Sequence, residues 1–286
     1  MRASFTSSKL VTMTSSNRRI LPGFHLTLSY TLTYLIILVL VPLGACFVKA
    51  STLTWAEFFA AVWTPRTRAA YTLTFSTSAI AACLDTVLGL LLAWVLVRYE
   101  FWGRKLLDSL IDLPFALPTA VAGLVYSSLY AKHGWFGQFL VPLGIHGAYS
   151  QLAIVLVLSF IGLPFVVRTV QPVLESIDAE VEEAAACLGA SRGQTFLRVI
   201  LPALFPALLT GFTLTFARAL GEYGSVTFVS GNMPFKTEIA PVLIVQRLEE
   251  FAVAEATAIA VVLLVCSFLL LGCINVLERW SQRHAN

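Results

Sequence analysis

The chain has 286 residues, of which 58% are hydrophobic and only 12% charged, and its mean hydropathy is +0.82. These values exclude a soluble globular domain and make the chain an integral membrane protein. A net charge of +3, with basic residues spread along the chain rather than gathered in one patch, excludes a nucleic-acid-binding face. The five cysteines, Cys46, Cys83, Cys187, Cys266 and Cys273, contain no Cys-x-x-Cys pair. They read as small buried hydrophobes rather than a disulfide framework. His25, His133, His146 and His284 are scattered, with no partner four residues on, and point to no metal site.

Residues 1–22 form a polar N-terminal tail rich in Ser and Thr, with Arg2, Lys9, Arg18 and Arg19 and no acid. The composition predicts a disordered cytoplasmic tail. It also resembles an organellar transit peptide, for which twenty residues is short. Six apolar spans follow, near 26–48, 69–97, 106–131, 151–169, 203–223 and 253–277. Each is long enough to cross about 30 Å of hydrocarbon as a helix. They are continuous runs, not the short alternating strands of a β-barrel, so the fold class is an all-α polytopic membrane protein. Residues 281–286 form a short C-terminal tail.

With the N-terminus inside, the inner segments carry twelve Lys and Arg and the outer segments six, with Arg218 inside a span. That bias places both termini in the cytoplasm. The second span is long, so its outer end either extends beyond the bilayer or tilts. Asp85 lies near its middle, where a carboxylate must face a neighbouring helix or a wet cavity. Both a proton or cation site and a hydrogen-bonded packing residue satisfy that demand. The third span begins with Pro114 and Pro118, which remove two backbone donors and predict a kinked or broken helix. A broken helix at membrane depth lines a cavity, which makes Pro114, Pro118 and Thr119 candidates for a pathway wall, whereas a merely kinked one only packs.

Between the fourth and fifth spans, residues 175–202 form a charged, helix-prone loop that must lie in water. Asp178 is placed to cap a first helix, with Glu180, Glu182 and Glu183 in its opening turns and Ala184 to Ala186 supplying helix propensity. Gly189 can turn at positive φ to end it, and Ser191 can cap a second short helix through Arg192 to Arg198. Pro202 then stands near the start of the next apolar run. Such a pair of short helices is either a plug for a groove on a partner or a solvated loop.

Near the outer end of the fifth span, Arg218 and Glu222 stand four apart and can meet on one helix face. Ser225, Thr227, Ser230 and Asn232 add neutral hydrogen-bonding groups, and Gly221, Gly224 and Gly231 free backbone amides. The set suits an oxyanion. It equally suits a self-satisfied ion pair beside a glycine-rich turn.

Glu183, Ala184, Ala185, Gly189, Leu201 and Pro202 match the EAA motif of bacterial ABC importer permeases, with Val199 where the motif usually has isoleucine. The resemblance implies that this loop forms the coupling helices that dock on an ATP-binding subunit. Glu182, Glu183, Ala184, Ala185, Gly189 and Arg192 would then face that subunit. From about residue 23 to 277 the chain also resembles the T-type sulfate/thiosulfate ABC transporter permeases. The matching stretches are AWVLVRY (93–99), DLPFALPTAVAG (112–123), GLPFVVRTVQP (162–172), GEYGS (221–225) and GNMP (231–234). That resemblance implies a type I ABC importer permease fold over 23–280 in a bacterial inner membrane, with a plastid envelope as the alternative setting.

It also implies a homologous W-type permease subunit, a cytoplasmic ABC ATPase dimer holding ATP and Mg2+, and an external sulfate-binding protein. On this reading the chain binds no cofactor and is no enzyme. It carries no Gly-x-x-x-x-Gly-Lys-Ser/Thr phosphate loop. Substrate-path candidates are Pro114, Pro118, Thr119, Arg218, Glu222, Ser225 and Thr227. The alternatives are a molybdate importer permease, an ion-coupled secondary transporter using Asp85 with Arg218 and Glu222, or a membrane scaffold without a pathway.

Overall fold

A computed structural model describes the backbone of residues 23–285 and the side chains of residues 23–277. The tail expected over 1–22 lies outside the described residues. Contacts within the chain divide it into two compact units, 1–45 and 46–286. The first holds α1 (Phe24–Leu35), a π-helical turn (Ile36–Leu40) and the opening residues of α2 (Val41–Ala50). None of its described residues is buried. Its leucines and isoleucines therefore meet hydrocarbon or another membrane helix.

In the second unit, α3 (Trp55–Val62) starts with a capping box: Glu57 Oε2 accepts from the Thr54 N–H at 2.8 Å while Thr54 Oγ1 accepts from the Glu57 N–H. That backbone bond holds the Glu57 carboxyl below its ordinary pKa. Thr64 caps α4 (Pro65–Arg98), a helix of 34 residues with proline at its first position. The helix of the second span thus begins ahead of the apolar run. The buried stripe of α4 is made of small residues, among them Ala70, Ser78, Ala81, Gly89 and Ala93, which let neighbouring backbones come close.

The third span is broken into α5 (Arg104–Ile111), α6 (Leu113–Ala116) and α7 (Thr119–Tyr130). Leu117 is forced to an extended ψ of 128° because it precedes Pro118. Of the six expected spans, five are uninterrupted helical stretches long and apolar enough to cross a membrane among the described residues, Phe24–Ala50, Pro65–Arg98, Gln151–Glu175, Arg192–Leu220 and Val253–Leu277, and the third is the broken set α5 to α7.

The short helix α8 (Gly137–Leu140) leads to α9 (Gln151–Glu175), the most deeply buried of these stretches. The water-side loop folds as α10 (Ala179–Cys187) and α11 (Arg192–Thr195). Here the expectation of two separate short helices is corrected. The second runs on through a π turn (Phe196–Ile200) into α12 (Leu201–Leu220) as one helix of 29 residues. Proline follows both π turns after the same interval, at 42 and 202. In each the first carbonyl accepts from an N–H five residues on, Val41 to Ile36 and Leu201 to Phe196, and this loosened turn accommodates a residue with no N–H to give.

The chain ends with α13 (Gly224–Val229), α14 (Ala240–Glu249) and α15 (Val253–Ala285), so helix continues through the expected C-terminal tail as far as Ala285. The core of the second unit is α4, α9 and α12. Ala93, Leu96, Val166, Val167, Val170, Leu174, Leu204 and Leu208 pack one half of it, and α13 joins α4 and α9 in the other half through Val226 and Val229. The cysteines are not the buried hydrophobes expected: Cys83, Cys187 and Cys273 are exposed and the other two half-buried.

Candidate functional site

The water-side elbow is built by local chemistry. Ala184, Ala185 and Ala186 favour α10, and Asp178 takes its N-cap position without making a side-chain capping bond. The helix ends in a Schellman arrangement. The Gly189 N–H donates to Ala186 O at 2.9 Å and the Ala190 N–H to Ala185 O at 3.0 Å, with Gly189 at φ 83°. Ser191 and Gln194 then form a second capping box.

Four of the residues expected at the ATPase contact, Glu183, Ala184, Gly189 and Arg192, are exposed on this elbow, and Ala185 is half-buried. Glu182 points the other way, pairing with Arg98 of α4 at 2.5 Å. A residue that sequence reasoning missed completes the outer surface: Leu188 is 89% exposed. An apolar knob beside small alanines, with Glu183 and Arg192 flanking it, suits a groove on a protein partner. Its signal lay in its position immediately before the turning glycine.

At the other end of α12 the structure brings most of the remaining candidates into one place. Arg218 Nη1 donates to Glu222 Oε2 at 2.6 Å. Glu222 Oε1 accepts from both the Ser225 N–H and the Ser225 hydroxyl at 2.9 Å. The buried glutamate therefore binds the end of α12 to the start of α13. Next to this, Thr119 of the broken helix lies against Gly224. One turn along, a Cβ built on Gly123 would run into the Ser225 carbonyl oxygen, so α7 and α13 cross backbone to backbone. Ser127 strengthens the crossing by donating to Phe228 O at 2.7 Å.

The hydroxyls behave differently from the arginine. Ser225 is fully buried and spends its proton on Glu222, and Thr227 donates to the carbonyl of Tyr223, the residue that caps α13. Arg218, with its side chain 35% exposed, keeps part of its fork open to solvent. Pro118 is exposed at the start of α7, whereas Pro114 lies half-buried in α6 and is not joined to this cluster by a contact shown among the described residues.

Two further forks were not singled out by sequence. Arg168 of α9 holds Asp112 with Nε at 2.9 Å and Nη2 at 2.5 Å, Asp108 with Nη1 at 2.7 Å, and Gln171, pinning the broken helix to the core. Arg66 holds Glu238 in the same two-pronged way and reaches Gln246. Gln171 apart, their partners are 56 to 180 residues distant, so no local spacing announces them. Asp85 lies against Gly162 in the core, fully buried, with the Ser159 hydroxyl as its polar neighbour.

Comparison with known proteins places the architecture. Residues 85–285 match the family described as "Binding-protein-dependent transport system inner membrane component". The "Sulfate transport system permease protein CysT" of Salmonella typhimurium is 49% identical over 94% of this chain and 97% of its own length. The protein of the same name from Synechocystis sp. is 48% identical over 90% of both chains. Among solved structures, a chain of a bacterial alginate ABC transporter, in complex with an alginate pentasaccharide-bound periplasmic protein, superposes with a TM-score of 0.74. It covers 89% of this chain and 93% of that one, at 17% identity.

Proposed function

Because the chain belongs to the family of inner membrane components of binding-protein-dependent transport systems, we propose that it is the permease subunit of an ATP-driven sulfate importer. The observation that carries the substrate is the end-to-end identity of 49% with a sulfate transport permease. The chain is a non-catalytic membrane subunit, and ATP and Mg2+ belong to a separate ATPase. On this reading it pairs with a second, homologous permease, receives sulfate from an external binding protein, and sits in a bacterial inner membrane with both termini in the cytoplasm.

The elbow gives the ATPase its hold. Leu188 and Ala184, framed by Glu183 and Arg192, enter a groove of the nucleotide-binding subunit, and Gly189 sets the angle between α10 and α11. ATP closes the ATPase dimer and thereby favours one arrangement of the permeases over the other; this requires contacts that differ between the two states. On the substrate side, Arg218 offers the free part of its guanidinium to the dianion while Glu222 holds the arginine in place. Thr119 and the proline-broken start of α7 wall the passage.

The test is radiolabelled sulfate uptake in a deletion strain carrying this chain, competed with thiosulfate and molybdate. Restored uptake that sulfate and thiosulfate compete for supports the reading. Uptake inhibited only by molybdate would reassign the oxyanion, and uptake that survives loss of the ATPase would end the ABC assignment. Arg218→Ala should lower uptake at least about tenfold, the loss of one charge-assisted contact of about 1.5 to 3 kcal/mol. The docking claim is tested through Cys187, which is exposed on α10: a photoactivatable crosslinker attached to its thiol, whose second arm inserts into any nearby side chain, should join it to the ATPase subunit in the assembled transporter.

A further inference from the structure

The pairing of Glu182 with Arg98 takes one residue of the elbow away from the docking surface and gives it a partner in the membrane domain. Arg98 is the last residue of α4, and Tyr99 after it is extended, so the guanidinium stands at the very end of a core helix. It lies over the Trp94 ring, 5.7 Å from the centroid. Trp94 in turn meets Phe196 edge-on at 5.3 Å. One end of α4 thus touches both arms of the elbow: α10 through Arg98 and Glu182, and the π turn before α12 through Trp94 and Phe196.

No residue of α10 is buried, so packing does not hold this helix. Beneath it lies a cavity of about 270 Å3, with Trp94, Tyr99, Glu182, Arg192, Thr195 and Phe196 in its wall. A helix with space underneath can tilt unless a strut prevents it. The Arg98 and Glu182 side chains are only 23% and 32% exposed, and a guanidinium held between a carboxylate and an indole face has little freedom to reorient.

We propose that Arg98 and Glu182 are a positioning pair: they fix α10 relative to α4 and pass the displacement of the docked elbow directly into the α4, α9 and α12 core. Glu182 then serves the ATPase through Arg98 and not by touching it. The proposal rests on the docking reading above, since an undocked elbow has no displacement to pass.

The experiment uses the whole transporter in proteoliposomes, with its ATPase and sulfate-loaded binding protein. It reads two quantities, ATPase retained on purification and ATP hydrolysed per sulfate imported. Arg98→Glu and Glu182→Arg should each retain the ATPase yet raise ATP consumed per sulfate about tenfold, within the usual range of coupling between sites. The charge-swapped double variant should return to within about twofold of the parent. Should the reversed charges impair folding, Arg98→Gln and Glu182→Gln provide a gentler series, whose losses should not add in the double variant.

Loss of the ATPase with Glu182→Arg but not with Arg98→Glu, or a swap no better than either reversal, overturns the proposal. The two readings fail separately. If Cys187 of the unaltered chain never crosslinks to the ATPase, docking fails; if it crosslinks and the swap does not rescue, only the positioning pair fails.

Discussion

At Gly189 the backbone stands at φ 83°, and a Cβ placed there would meet nothing within 4 Å. Any cost of substitution is therefore conformational, about 1 to 2 kcal/mol for an L-residue in the left-handed region. Gly189→Val should open the turn and lower sulfate uptake while insertion and abundance in the membrane stay normal; normal uptake would remove the elbow from the mechanism. Asp85 poses the opposite problem, a fully buried carboxyl whose polar neighbour is the Ser159 hydroxyl. Held in the core as a packing group, it should tolerate Asp85→Asn with uptake within about twofold, since that change keeps shape and polarity. A loss of transport that tracks pH would mark it instead as a proton site. The turn at Gly189 and the meeting of Arg218 with Glu222 were legible in sequence because each is set by neighbours within a few positions. The Arg168 and Arg66 forks were not, because tertiary packing alone decides which distant acid they reach.

Among elements, the most closely built crossing is α7 against α13. Gly123→Ala would drive a methyl group into the Ser225 carbonyl, and backbone on both sides leaves no side chain to yield. Overpacking of this kind costs about 1 to 3 kcal/mol. The expected result is a lower melting temperature in detergent and reduced uptake. The broken helix needs Arg168 as well. Arg168→Met would leave Asp108 and Asp112 facing each other without their cation, and because these groups are partly exposed the loss should stay near 1 kcal/mol. Thermal unfolding checks it, and Asp112→Asn in the same chain should recover part of the loss. The break itself was readable from Pro114 and Pro118, since proline acts through local sterics. The continuity of α11 with α12 was not: Pro202 reads as a fresh helix start, and only the π turn before it shows how one helix passes through.

For the whole molecule, the orientation carried by twelve inner against six outer basic residues has a direct measurement. A membrane-impermeant maleimide should modify Cys187 in inside-out vesicles and leave it untouched in right-side-out ones. Modification from the outer face would invert the topology and separate the elbow from any ATPase. The family and its six apolar spans were evident in composition and motif, because lipid imposes length and polarity on every crossing segment. Which helices make the core was not evident, because hydropathy is nearly the same for α4, buried along one stripe, and α9, buried over most of its length.

The helix that starts at Arg192 ends only at Leu220, about 43 Å further on at a rise of about 1.5 Å per residue. The elbow's second arm and Arg218 thus stand at opposite ends of one helix. If the elbow docks and Arg218 meets the anion as proposed, a swing at one tip is carried along the same helix to the other, alongside the path through Arg98, with the π turn at 196–200 setting how stiff that rod is.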